Sequence, residues 1–464
     1  MKTKRLLMSV LILALIIFGF VLFSVKEKQK TVLAAQTSAE QTSYSEVAQY
    51  LDKGGSLYLY LSTEKWLDGL SGQIAKWKDI FAGMPMGTGD RENLDKVIAL
   101  VSRVVKDSGV ESVSGFGLSS IAVDKDFYRT RMVLHHYKGK GAGFGWTMFG
   151  RAPHALNGLD MAPSTTALAV FSDFDAAQLW SVIQDETKHS GFPDADKGLD
   201  QFVKQFKRSS GLDWDKLLNS FGGEYGVILT LDDSKMVQLP LPTAEPFEIP
   251  DPGLLIVAKA NDETLFNQLE KQLKQTRLQL LSVNKDHLKM RSVEVPVPLP
   301  ITLRPSIAMA DGYLYIASSD TLIEDALAVK AGLKPGLKST DEFKHVAKDM
   351  PTQGNRYTYI SQRFGQTYLK IQQQVMAMKG TQDPGVAKLM HELMNPDNAK
   401  YMFYVGATTD EGWVGIGNGN QNGAIVAAAV PVAVIAVGTA MVLPAVAAAK
   451  RRAAQINAMH SNHP

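Results

Sequence analysis

The 464 residues contain no cysteine. That single absence removes disulfides, thiolate zinc sites, a cysteine nucleophile and a lipid-modified cysteine anchor together. It does not fix a compartment, because an envelope protein with a large core does without disulfides. A strong excess of one charge is also missing, since the formal net charge is only +2. Nine of the 49 basic residues and one of the 47 acidic ones flank two apolar ends, which leaves 40 basic against 46 acidic residues between them. A mildly acidic body lacks the footprint of nucleic-acid binding, which rests on neutralising phosphates. No Gly-x-Ser-x-Gly nucleophile turn occurs. With 45% apolar and 21% charged residues the chain is not disordered, and its length allows two or three domains.

Long apolar runs, in contrast, are present at both ends. Leu6 to Val25 is free of charge and, at a helical rise of ~1.5 Å, long enough for a hydrocarbon core of roughly 30 Å. It exceeds a usual signal-peptide core of ~7 to 15 residues, and lysines separate it from the only small-residue pair, Ala34-Ala35. A retained anchor is expected. Lys2, Lys4 and Arg5 outweigh Lys26, Lys28 and Lys30, offset by Glu27, and so place the amino terminus in the cytoplasm. Ala424 to Ala449 is a second uncharged run, stopped by Lys450-Arg451-Arg452, which places the carboxy terminus there too. Pro431 and Pro444 are tolerated better in a membrane bundle than in a water-exposed helix. The expectation is a two-pass inner-membrane protein, held in the lipid bilayer by both terminal helices, with its body in the periplasm or extracytoplasmic space.

The second run, with Leu443-Pro444-Ala445 followed by Ala449-Lys450-Arg451, resembles the amino-terminal helix of bacterial pseudopilins and type IV pilin-like proteins. It departs from them in lacking the Gly-Phe-Thr-x-x-Glu processing site and in following the body rather than preceding it. What the resemblance implies is a shared helix chemistry, with a secretion-associated role as one alternative.

Between the ends, residues 56–74, 166–183, 254–273, 313–329 and 356–373 each join a short aromatic or aliphatic run to a polar breaker and an apolar segment of helical period. Each predicts a strand feeding a helix. Ser62-Thr63, Ser172-Asp173, Asn261-Asp262 and Ser318-Ser319-Asp320 stand where helix caps belong. Alternating runs at 113–124, 128–139, 222–233 and 400–417 read as antiparallel strands. The expected fold class is α+β: two modules of antiparallel sheet with packed helices, residues 36–245 and 246–414, flanked by the transmembrane helices. Residues 415–423, rich in Gly and Asn, read as a flexible linker, and 1–35 and 450–464 as the anchored ends. The prolines of 296–305 suggest an edge strand, a polyproline segment or a connector.

The repeated strand-helix units, Gly222-Gly223-Glu224-Tyr225, Asp311-Gly312-Tyr313, Leu337-Lys338-Ser339-Thr340 and Tyr357-Thr358-Tyr359 resemble a family of bacterial envelope-anchored proteins known only as a domain of unknown function. The likeness spans roughly Ser45 to Ala377. It implies an extracytoplasmic α+β body and lends no catalytic residues.

Chemistry-bearing motifs fall short individually. Gly332 to Thr340 has only three residues between its glycines, an extra Leu337 before Lys338, and Pro335 in place of an amide donor, so a helix stop is expected and no nucleotide. Asp194, Asp196 and Asp200 lack a closing glutamate for calcium and read as a turn capping a helix from Leu199. His135 and His136 point to opposite faces of a strand, one toward the core and one toward water, and share no metal. His391-Glu392 lacks the second histidine of a zinc protease helix, and Gly139 to Gly145 reads as a mobile hairpin loop. The six tryptophans read mostly as core, with a peptide or glycan groove as the alternative. No metal, cofactor or catalytic residue is assigned. Binding or scaffolding is the expected function, with an envelope protein as a possible partner. An envelope hydrolase is the alternative, to be favoured if Asp173, Asp175, Glu224 and Asp232 or Asp233 converge in one pocket.

Overall fold

The computed structural model describes residues 42–82, 88–192, 194–239, 247–275, 278–285, 287–295, 303–379, 395 and 399–421. Both apolar terminal runs, the pilin-like stretch, His391-Glu392 and Pro296 to Pro300 lie outside them. Among the described residues no helix is long and apolar enough to cross a membrane.

In chain order the strands are β1 (Leu57–Ser62), β2 (Val113–Asp124), β3 (Phe127–His136), β4 (His154–Ala155), β5 (Thr166–Asp173), β6 (Phe221–Leu239), β7 (Phe247–Ala260), β8 (Leu280–Lys285), β9 (Leu288–Val293), β10 (Ser306–Ala310), β11 (Tyr313–Ala317), β12 (Gln353–Gly354), β13 (Arg356–Ile360), β14 (Met402–Thr409) and β15 (Gly412–Gly419). The helices are α1 (Tyr44–Ala48), α2 (Glu64–Leu67), α3 (Leu70–Ala75), α4 (Trp77–Ala82), α5 (Thr88–Ser108), α6 (Phe144–Thr147), α7 (Ala176–Lys188), α8 (Ala195–Ser210), α9 (Trp214–Asn219), α10 (Thr264–Lys274), α11 (Asp320–Lys330), α12 (Asp341–Val346) and α13 (Gln362–Lys379).

One antiparallel sheet of 13 strands runs β1-β2-β3-β15-β14-β13-β5-β6-β7-β11-β10-β9-β8, and β4 pairs with β12 apart from it. Three β-α-β-β units build most of it. In each, a strand is followed by helical chain and then a hairpin whose first arm returns beside that strand: β1 with β2 and β3, β5 with β6 and β7, β13 with β14 and β15. The third unit lies between the other two, joined through β3 to β15 and β5 to β13. Every strand-to-helix step expected from the sequence is present.

Period-two alternation decides which side chains make the core. In β13, Tyr357 and Tyr359 are buried, whereas Arg356, Thr358 and Ile360 point to the other face and are half-buried. The buried set joins Phe171, Ile228, Leu255, Val257, Tyr315 and Phe403 against α11 and α12. Each such side chain contributes ~1.5–3 kcal/mol by leaving water. α10 covers the opposite face locally through Leu265 and Phe266 against Ile307 and Leu314.

The caps form where a side-chain oxygen reaches an orphan amide. Ser319 Oγ accepts from the Leu322 amide of α11, as expected. α7 is capped by Asp175 rather than by Ser172-Asp173, through the Gln178 amide at 2.8 Å. Thr63 precedes α2, but its hydroxyl donates to Val113 O instead. Asp262 accepts from Thr264 N at the start of α10.

Four expectations need correcting. Gly415 to Gly419 are not a linker: they are the second half of β15, paired residue by residue with Met402 to Gly406 and with Tyr128 to Met132. Their glycines leave room for a ring, since a Cβ at Gly415 would stand 2.0 Å from Tyr404 Oη. The division near 240–253 runs through a hairpin, because β6 and β7 pair from Phe221↔Ala260 to Leu239↔Phe247 and so carry one sheet across it. Pro250 and Pro252 sit beside an irregularity between Asp232 and Met236, where ladder donors are already missing. α8 starts at Ala195 rather than Leu199. His135 and His136 are both buried, 0% and 4% exposed, because α1 covers one face of β3 and Trp146 covers the other, its ring 4.5 Å from that of His136.

Candidate functional site

The register sorts polar groups to two ends of the same central strands. Ile360, Leu168, Leu229, Met402 and Gly419 occupy one row across β13, β5, β6, β14 and β15. Arg356 and Ser172 stand four residues away, ~13 Å along the strands.

At the Arg356 end, Asp173 lies opposite Glu224 across β5 and β6. Two of the carboxylates singled out in the sequence therefore meet. Asp173 Oδ1 accepts from His154 Nε2 at 2.9 Å, and Oδ2 from Asn355 Nδ2 at 2.8 Å. Asn355 also donates to Ala152 O and accepts from the Thr408 amide. The chain comes this close because Gly150, at φ +100°, has no Cβ, which would stand 2.3 Å from Asn355 Nδ2. With Nδ1 beside Ala155 O at 2.8 Å, both His154 nitrogens face acceptors, the arrangement of an imidazolium. The Asp173 hydrogen bond raises its pKa to about 9, against the opposing effect of burial. Glu224 accepts from Tyr313 Oη at 2.9 Å, and burial pushes its carboxyl up from the usual range. Arg356 lies over Trp413, 4.7 Å from the ring centre, and burial lowers its pKa. The space left among these groups is about 10 Å³, one water's worth. His154, Asp173, Asn355, Glu224 and Tyr313 are turned on each other, whereas Arg356 Nε and Nη2 and Tyr357 Oη, in the same lining, are buried without a partner.

Asp175 is spent on its helix cap, and Asp232 and Asp233 belong to the far end of β6. The four positions do not form one carboxylate site. A serine, a histidine and a glutamate do line up elsewhere: Ser114 Oγ is 2.6 Å from His135 Nδ1, and His135 Nε2 is 3.2 Å from Glu46 Oε2. Ser114 is 1% exposed and His135 0%, and burial lowers the histidine's pKa, so this relay has neither a substrate approach nor a poised base.

At the Ile360 end a groove of about 330 Å³ opens to solvent, in the lower part of the ~300–1,000 Å³ range of small-ligand sites. Ser164, Thr166, Thr340 and Tyr359 present hydroxyls to it, Gln362 and Gln366 amides, and Asp233, Glu342 and Arg363 charge. Arg363 Nη1 pairs with Asp233 Oδ2 at 3.2 Å, and Glu342 Oε1 accepts from the Gln362 amide at 2.6 Å. Thr166 is 1% exposed and its hydroxyl has no hydrogen-bond partner; Arg363 Nε has none either. Neither atom has accessible surface, so both are buried donors left unmade, at a cost in free energy, and are not offered to the open volume. Asp233 was singled out in the sequence as a candidate carboxylate, and Thr340 and Tyr359 only within the stretches that carry the family resemblance. The others are scattered from 164 to 366 and carry no local pattern. Among the described residues no group of three or more histidine or carboxylate side chains is placed to hold a metal.

The family model described as "Protein of unknown function (DUF3352)" matches residues 154–393. This is more than half of the chain and takes in both the sealed cluster and the groove. No curated protein and no solved structure matches it. The chain belongs to that family of unknown function.

Proposed function

We propose that this member of the family is a bilayer-tethered binding protein, held by Leu6 to Val25 and Ala424 to Ala449 with its sheet on the extracytoplasmic side. The observation that carries the binding function is the groove between β5, β6 and α13, about 330 Å³ of open volume lined by Asp233, Glu342 and Arg363. The basic residues outside both apolar runs support the orientation.

The cysteine-free sequence makes the topology measurable. Single substitutions Lys235→Cys in the body, Lys4→Cys and His463→Cys are each exposed, in intact cells stripped of any outer membrane, to a membrane-impermeant maleimide. Labelling of Lys235→Cys alone, with the other two reacting only after permeabilisation, is the expected pattern. Labelling of either end before permeabilisation, or a body protected until then, sinks the orientation.

A further inference from the structure

The geometry points to the groove as a receptor for a zwitterionic phospholipid headgroup, a phosphate joined to a primary ammonium, presented by the same bilayer that takes up Ala424 to Ala449. This rests on the tethering proposed above and names its ligand. β15 ends at Gly419, and Asn420 is fixed by its side chain to Ala399 O and to the Tyr401 amide. Only Asn422 and Gly423 separate Gln421 from the apolar run, so even fully extended chain reaches ~10 Å. The end of the sheet that carries Gly419 must then face the bilayer. The groove is at that end: Ser361 to Arg363 continue β13 beyond the Ile360 row, and Thr166 begins β5 beyond Leu168. β13 is two strands from β15, ~10 Å across the sheet. The amino-terminal side does not oppose this placement. Ser43 is pinned to Ser114 O at the far end of β2, ~23 Å away along the strands, and the eighteen steps from Val25 span up to ~60 Å.

The lining selects among headgroups. Arg363, 24% exposed at its side chain, brings to the groove a guanidinium whose geometry matches phosphate. Asp233 and Glu342 give the wall two carboxylates against one guanidinium, which disfavours a purely anionic headgroup and suits an ammonium next to the phosphate. Arg363 spends Nη1 on Asp233, so a phosphate shares the guanidinium with that carboxylate.

The test titrates the full chain, in a polyoxyethylene detergent, with water-soluble headgroups by calorimetry: glycerophosphoethanolamine, glycerophosphoglycerol, inorganic phosphate and a plain disaccharide. Glycerophosphoethanolamine should bind at least tenfold more tightly than the other three. Arg363→Gln and Asp233→Asn should each weaken it at least tenfold, with the thermal midpoint unchanged; Asp233 is 69% exposed at its side chain, so its variant folds. Equal affinity for all probes, preference for the anionic or sugar probe, no saturable binding, or variants that bind like the parent chain would each overturn the assignment. Sidedness plays no part in micelles, so a failed topology experiment and a failed titration remain separate results.

Discussion

The two ends of β5, β6 and β13 use similar residues for opposite purposes. At one end His154, Asp173, Asn355, Glu224 and Tyr313 satisfy one another around a space of about 10 Å³. At the other, Asp233, Glu342 and Arg363 line about 330 Å³ of open volume. A perturbed histidine or carboxylate is therefore a poor guide to function in this molecule, because the perturbed groups sit where almost no volume is left for a ligand. Unmet hydrogen bonds are no better a guide, since Arg356 and Tyr357 leave them at that end too; open volume beside charge separates the two ends.

That contrast is easiest to break at the sealed end. Asp173→Ala removes the acceptor of both His154 and Asn355 and strands a partly buried cation, so unfolding free energy in urea should fall by about 3 kcal/mol. A loss below ~1 kcal/mol would mean that the cluster is not closed.

The same end should carry a pH dependence. His154 binds its proton more tightly in the folded chain, with a pKa of about 9 against an ordinary ~6.5. Its contribution is therefore complete below ~6.5 and is lost as pH rises through 9. Glu224, raised by burial, acts with the same sign in a lower window starting near the ordinary carboxyl range. Denaturation midpoints measured from pH 6 to 10 should fall, and Asp173→Asn should flatten the upper part of the curve. A flat profile in the parent chain would remove the imidazolium from the network.

The smallest effect belongs to the open end and has the opposite sign. Thr166→Val replaces a buried, unpartnered hydroxyl with a methyl of similar shape, so stability should stay level or rise by up to ~1 kcal/mol. A clear destabilisation would show that the Thr166 hydroxyl is satisfied within the fold.

By itself the sequence determined whatever depends on neighbours along the chain. Five strand-to-helix steps, the antiparallel character of the sheet and the Ser319 cap follow from periodicity and from side chains that reach only a few residues. Local reading also erred in predictable places. Gly415 to Gly419 looked like flexible chain because glycine is permissive in isolation, yet Tyr404 and the two flanking strands require small residues there. One of His135 and His136 was expected to be wet, because nothing nearby in sequence announces that α1 and Trp146 cover the two faces of β3. Only the tertiary structure decided the site. Register across β5, β6 and β13 brings residue 154 to 355 and residue 166 to 363, and it divides acidic residues of one strand, Glu224 and Asp233, between a closed end and an open one. Pairings of such separation are fixed by which face each strand buries, a property of the whole sheet that no short stretch encodes.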